Sequence, residues 1–364
     1  MKREELGKLS FVLGGGGFKG AWLAGVLKAF LDVSFIPDYI SGGSVGALVG
    51  AKFTEIVGRL EAGEPTSIIL ELVDIWYDFI RIPSDIYEID KEEAFKKPLQ
   101  RWRKEHGHKF KKFFTNPKSL LMILFLEFIK APSLYTNKKI QSLIDNLDMD
   151  KIRSSSVDFD IITCDFETRG SKAWSNRAYD NETLKKALLA STALPVIFPT
   201  IEIMGSKNND GARILPLPVV YAHRNKCDTI VAIRTDPKNH QSRKDNLAGW
   251  LADLNTADDI QSFDIANGQI RRTKRVNRDI DVFNNFKSEI FEFIPAAALE
   301  VAAQIFENAE FSFKGKKRNE LYELQPDLPL PVTTALCSPE GIKKAISLGH
   351  QKGIRFLEET DFHN

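Results

Sequence analysis

Cysteine is scarce in this chain. Cys164, Cys227 and Cys337 are its only three, far apart and without CxxC spacing. That excludes a disulfide framework or a zinc ribbon and points to a reducing compartment. Long hydrophobic runs are also missing. The longest, Leu120–Leu126, falls far short of the roughly 20 residues a membrane-spanning helix needs. Met1–Ser10 is charged and turns directly into a strand-like run, with no signal-peptide core. The expectation is a cytoplasmic protein that meets membranes, if at all, from their surface. Neither charge dominates, since 50 Lys and Arg face 49 Asp and Glu for a net +1. A protein built to neutralise nucleic acid is thereby excluded. Internal repeats and low-complexity linkers are absent as well.

What is present is an ordinary globular composition, 43% apolar and 27% charged, over 364 residues. That length suits one large α/β domain with an insertion, or two smaller domains. Four blocks can be drawn. Residues 8–62 read strand, Gly-rich turn, helix, strand, turn, helix. Leu9–Leu13 is a short apolar run, and Leu23, Val26, Leu27, Phe30 and Leu31 recur at helical spacing within Ala21–Leu31. Residues 63–135 break the rhythm with aromatics, lysines and Pro65, Pro83, Pro98, Pro117 and Pro132, which predict short, bent helices. Residues 136–237 return to α/β, with strands over Phe159–Cys164 and Thr229–Arg234, a helix over Thr183–Leu194 and an extended run over Ile197–Met204. Residues 238–364 read as mostly helical. Alternating strands and helices predict a mainly parallel central sheet covered by helices. The domain expectation is a catalytic α/β unit over 8–237, interrupted by the 63–135 insertion, with 238–364 packed onto it as a helical extension.

Three motifs carry chemistry. Gly14-Gly15-Gly16-Gly17-Phe18-Lys19-Gly20 lies between a strand and a helix. A fold keeps four glycines where backbone must approach something closely, and their N–H groups ahead of a helix can cradle negative charge. Gly15, Gly17 and Gly20 fit the dinucleotide pattern GxGxxG. That reading wants an acid at the end of the next strand, where Ser41–Ser44 stand instead. A Walker A loop needs Gly-Lys-Ser/Thr, and Lys19 lies between Phe18 and Gly20. An oxyanion hole is the third reading, and it needs a nucleophile.

Gly42-Gly43-Ser44-Val45-Gly46 supplies one. It is G-x-S-x-G after a strand and before a helix, a turn that strains the serine and exposes its hydroxyl at the sheet's carboxyl edge. Asp210-Gly211-Ala212 would by itself be an ordinary turn. It is flanked, however, by Ser191-Thr192-Ala193-Leu194-Pro195-Val196-Ile197-Phe198-Pro199 and Pro216-Leu217-Pro218-Val219.

Together these segments resemble the patatin-like phospholipase family, over about 8–62 and 134–237. The resemblance implies a three-layer α/β/α fold and a lipid acyl hydrolase of phospholipase A or lysophospholipase type. It makes Ser44 the nucleophile and Asp210 its base. The N–H groups of Gly15, Gly16 and Gly17 become the oxyanion hole, with Lys19 supporting the loop. It implies a phospholipid or lysophospholipid substrate and neither cofactor nor metal. Gly43, Val45 and Arg213-Ile214-Leu215 depart from the family's usual residues, which bears on substrate preference more than on mechanism.

A Ser-His-Asp triad is the mechanistic alternative, and His223 and His350 follow the acid in the required order. A catalytically silent lipid-binding or regulatory protein is the alternative class, although such a module needs no strained serine. Within the insertion, Lys96–Lys112 holds eight Lys and Arg against Glu105, interleaved with Trp102 and Phe110, and Leu120–Ile129 follows. Basic charge beside a short apolar stretch suits docking of 96–130 on an anionic membrane; a lid or core helix fits it equally. No nucleic-acid partner is expected. Arg271, Arg272, Lys274, Arg275 and Arg278 read as one solvated helix face.

Overall fold

The computed structural model describes residues 3–89, 135–195, 197–238, 250–308 and 313–362, with positions 100 and 104. Almost all of the basic 96–130 segment lies outside the described residues, and so does any test of its docking role.

Five parallel strands form the body of the sheet: β1 (Leu9–Leu13), β2 (Tyr39–Gly43), β5 (Asp158–Asp165), β9 (Thr229–Ile233) and β10 (Glu320–Leu324), in the order β10-β9-β1-β2-β5. Three antiparallel strands complete it. β6 (Gly170–Ser175) and β8 (Ser206–Asp210) both pair with β5, and β7 (Ile201–Ile203) pairs with β8. A separate two-stranded antiparallel pair is formed by β3 (Glu88–Ile89) and β4 (Tyr135–Thr136). β1 and β9 are buried along their whole length, as central parallel strands with both faces covered must be. Their alternate residues feed two cores. Phe11, Leu13, Val231 and Ile233 enter one cluster, while Val12, Ile230 and Ala232 enter the other.

The larger cluster lies under α1 (Gly20–Asp32), α2 (Val45–Glu61), α3 (Glu71–Asp78), α4 (Lys138–Asp145), α5 (Met149–Ser154), α6 (Asn181–Ser191) and the closing helix α10 (Pro339–Thr360). The smaller is covered by α7 (Val219–Arg224) and by the 44-residue α8 (Trp250–Phe293), which is followed by α9 (Leu299–Asn308). Helices on both faces of a mainly parallel sheet give the expected three-layer α/β/α class. Among the described residues no helix is long and apolar enough to cross a membrane.

Two local expectations shift. The helix expected over Thr183–Leu194 runs Asn181–Ser191, started by the Asp180 carboxylate accepting from the Thr183 N–H at 2.7 Å. It stops short because Leu194 precedes Pro195, and a residue before proline disfavours the helical region. Of the extended run over Ile197–Met204, only Ile201–Ile203 is strand. The described part of 238–364 is mostly helical, as expected, and adds one strand to the sheet, since β10 pairs with β9 from Glu320↔Thr229 to Leu324↔Ile233. Glu320 and Glu323 fall on opposite faces of this strand, and only Glu320 is exposed, as suits an edge strand whose two faces are both partly covered. Arg271, Arg272, Lys274, Arg275 and Arg278 are exposed on α8, as a solvated face would be.

Candidate active site

Strand register brings the two candidate catalytic residues together. β6 occupies one edge of β5 from Asp160 to Asp165. On the other edge, β2 ends at the pair Gly43↔Ile162, and β8 takes over at once with Asp210↔Thr163. Ser44 leaves the end of β2 at the point where β8 ends in Asp210. Two residues separated by 165 positions in sequence thus meet at one break in the sheet.

Ser44 has φ 56° and ψ −133°, strained for a residue with a side chain, and is buried. Crowding explains the glycines around it. A Cβ on Gly42 would lie 2.6 Å from the Gly46 carbonyl, and one on Gly46 would lie 2.7 Å from the Leu13 carbonyl oxygen. The turn is also pinned from α6. Ser191 Oγ accepts the Ser44 N–H at 2.9 Å and donates to the Ile162 carbonyl at 2.6 Å. In the sequence the only sign of this role is a serine at an otherwise apolar helix end, Ala187–Ser191.

Asp210 is fully buried. Its Oδ1 accepts from the Ala212 N–H at 2.8 Å, while Oδ2 is buried without a well-aligned partner. Burial raises the carboxyl pKa to about 7; the Ser44 hydroxyl, the Ala212 N–H and Arg213 pull it down without cancelling that effect. The Ser44 hydroxyl therefore lies close enough to influence the acid yet is not in an ideal hydrogen bond. Catalytic hydrogen bonds are often loose before substrate binds.

The glycine loop closes the third side. The Gly15 N–H donates to the Pro216 carbonyl at 3.2 Å, so of the three expected donors this one already has an acceptor within the chain. Gly15 instead provides space, because a Cβ there would lie 2.6 Å from Ala212 Cβ and 3.3 Å from Ser44 Cβ. Gly16 and Gly17 have φ of 137° and 55°. Among the described residues their N–H groups have no intramolecular acceptor. Lys19 is no solvated surface lysine. Its Nζ lies 2.7 Å from Asp236 and 3.3 Å from Asp259. Burial works against its charge, but the two carboxylates outweigh it and raise its pKa. Thr334 Oγ1 donates to Asp259 at 2.8 Å, and Thr235 Oγ1 donates to the Gly15 carbonyl. Asp236, Asp259, Thr235 and Thr334 were not legible as partners, since each comes from a distant part of the chain.

Ser44 stands between two cavities. One, of about 590 Å³, is lined by polar and charged groups including Lys19, Asp210, Arg213, Arg234 and Asp236. The other, of about 540 Å³, is lined by Phe18, Leu48, Trp76, Tyr87, Leu143 and Phe198 among others. No histidine lines either cavity among the described residues. His223 Nε2 contacts Thr273 Oγ1 at 3.0 Å, and His350 pairs with Asp32 at 2.8 Å. His106, His108, His240 and His363 lie outside the described residues.

The profile of the patatin-like phospholipase family matches residues 11–223, well over half of the chain. Patatin-like phospholipase domain-containing protein 7 of Rattus norvegicus is 34% identical over 77 residues, 19% of this chain and 6% of that much longer protein. The crystal structure of VipD from Legionella pneumophila aligns with a TM-score of 0.39 at 12% identity, covering 97% of this chain and 67% of VipD. By its family profile, the chain belongs to the patatin-like phospholipases.

Proposed function

We propose that this protein is a serine acyl hydrolase that cleaves carboxylic esters of phospholipids or lysophospholipids through a Ser44–Asp210 dyad. The observation that carries the reading is the meeting of a strained Ser44 with a buried aspartate whose pKa is raised to about 7. A serine hydroxyl is a poor nucleophile until a base takes its proton, and an ordinary aspartate near 3.9 is a weak base. Burial makes Asp210 a stronger one. Its Oδ2 takes the Ser44 proton as Oγ attacks the ester carbonyl. The Gly16 and Gly17 N–H groups stabilise the tetrahedral oxyanion, where one such donor is typically worth about 2.7–4 kcal/mol. Asp210 then protonates the leaving alcohol. Water, deprotonated by the same carboxylate, attacks the acyl-serine, and the proton returns to Ser44 as the acid leaves. The apolar cavity suits the acyl chain and the polar cavity the alcohol portion.

Labelling with a fluorophosphonate probe tests this directly, because only an activated serine reacts. The native protein is expected to label and to hydrolyse short p-nitrophenyl esters, and Ser44→Ala to do neither while keeping its far-UV circular dichroism. Full ester hydrolysis by that variant refutes the assignment, as does failure of the native protein to label.

A further inference from the structure

The dyad leaves one charged side chain beside the cleft without a task. Arg234 directly follows β9 and is 3% exposed. Its guanidinium sits over the Phe263 ring at 5.1 Å and donates from Nη1 to Asn267 Oδ1 at 2.7 Å. Phe263 and Asn267 belong to α8, so the group is clamped between the sheet and that helix. Nε and Nη2 are buried and have no hydrogen-bond partner among the described residues. These two nitrogens form one edge of the guanidinium, the side-on fork that grips two oxygens of a phosphate or carboxylate.

Neighbouring carboxylates do not fill that edge. Glu323 lies 3.9 Å away and faces Nη1, and it also pairs with Lys274. Asp236 is held by Lys19 at 2.7 Å. A guanidinium keeps its charge in proteins, so a buried fork without an acceptor is a cost that an anion would remove. Arg234 lines the same polar cavity as Ser44, together with Arg213. A substrate placed with its acyl chain in the apolar cavity directs its alcohol portion there.

We propose that Arg234 is the head-group anchor of this enzyme, its Nε–Nη2 edge taking the phosphate of a glycerophospholipid or lysophospholipid whose ester lies at Ser44. The inference rests on the acyl-hydrolase reading above and deepens it, by naming the side chain that reads the phosphate of the substrate's alcohol portion. Arg234 acts on specificity, and the bond-making atoms are left to Ser44 and Asp210.

The test compares two soluble short-chain substrates with the same acyl group, a lysophosphatidic acid and a monoacylglycerol, in the full chain and in Arg234→Gln and Arg234→Lys. A charge-assisted fork lost from a buried site corresponds to about tenfold to a hundredfold in kcat/KM. The native enzyme is expected to prefer the phosphate-bearing ester by that factor. Arg234→Gln is expected to lose the preference while keeping monoacylglycerol hydrolysis within about threefold. Arg234→Lys, which keeps the charge but not the fork, is expected to retain only part of it. Inorganic phosphate is expected to inhibit the native enzyme competitively and the Gln variant hardly at all. A preference unchanged in both variants overturns the proposal, and so does an equal loss on both substrates, which marks Arg234 as structural. Phosphate inhibition without any head-group preference assigns the fork to a free anion and also overturns it. An inert native enzyme, or an active Ser44→Ala, fails the hydrolase reading itself and is recognised before the Arg234 comparison begins.

Discussion

Replacing Asp210 by Asn probes the dyad through stability as well as rate. The native carboxyl has its pKa raised to about 7 against an ordinary 3.8, with burial as the main cause. The folded state therefore holds this proton more tightly than the unfolded chain. Stability is untouched by the group below about pH 3.8, falls as pH rises through the interval, and levels off above about 7. Roughly three pKa units at about 1.36 kcal/mol each give a cost of about 4 kcal/mol on the alkaline side. About 2.5 kcal/mol of it develops between pH 5 and pH 8. Asn cannot ionise, so the variant escapes that slope. An amide nitrogen in the place of Oδ2 brings its own penalty of about 1–3 kcal/mol for an unpartnered buried donor. That penalty does not depend on pH and cancels when the two pH values are compared. Thermal unfolding of both proteins at pH 5 and pH 8 is the assay. The melting temperature of the variant relative to native is expected to rise by something on the order of 5 °C between the two. Activity moves oppositely, because the base must be ionised. Native kcat/KM on a short ester is expected to fall about tenfold per unit below pH 7. The Asn variant is expected to be slower by orders of magnitude at every pH. A relative melting temperature that does not change with pH, together with a rate profile lacking an inflection near 7, would refute the reasoning.

Ser191→Ala removes the acceptor of the Ser44 N–H, so a loss of about 1–3 kcal/mol is expected, together with a lower kcat at unchanged KM; denaturant titration and steady-state kinetics check this. Asp236→Asn combined with Asp259→Asn leaves Lys19 buried without its partners, and breaking such a pairing costs about 3–5 kcal/mol. A clearly lower melting temperature and weaker fluorophosphonate labelling are expected. Leu48→Trp enlarges a side chain lining the apolar cavity. A shift in kcat/KM from long-chain toward short-chain esters is expected, read from a p-nitrophenyl ester series.

Local patterns made the first strand and the strained Ser44 turn legible. Leu9–Leu13 was expected as a strand and is β1, residue for residue. The G-x-S-x-G turn stands between strand and helix because only Gly42 and Gly46 allow Ser44 to turn so tightly against Leu13. What stayed hidden required three-dimensional neighbours. No spacing in the sequence reveals that Pro216 occupies the Gly15 N–H, because that contact depends on how a later loop folds back over the glycines. Lys19 reads identically whether solvated or buried until Asp236 and Asp259 are placed beside it. The edge strand Glu320–Leu324 is short and half charged, so its pairing with β9 outweighs a weak local signal.

The most consequential of these hidden contacts concern where the catalytic unit ends. The family profile stops at residue 223, yet the glycine loop is held largely from beyond it. Thr235 takes the Gly15 carbonyl, Asp236 and Asp259 hold Lys19, and the Thr334 backbone packs so closely on Gly17 that a Cβ would lie 2.0 Å from its carbonyl oxygen. These four residues come from the turn after β9, from α8 and from the segment before α10. Gly16 and Gly17 occupy positive φ, a conformation that costs glycine less than other residues but that isolated glycines do not hold. Tertiary contacts must supply the rigidity, and preorganised donors stabilise an oxyanion only when their positions are fixed before the charge develops. The family core therefore contains the candidate nucleophile turn and the candidate base. The late third of the chain contributes the stiffness of the candidate oxyanion loop, and through Arg234 it also shapes the polar cavity.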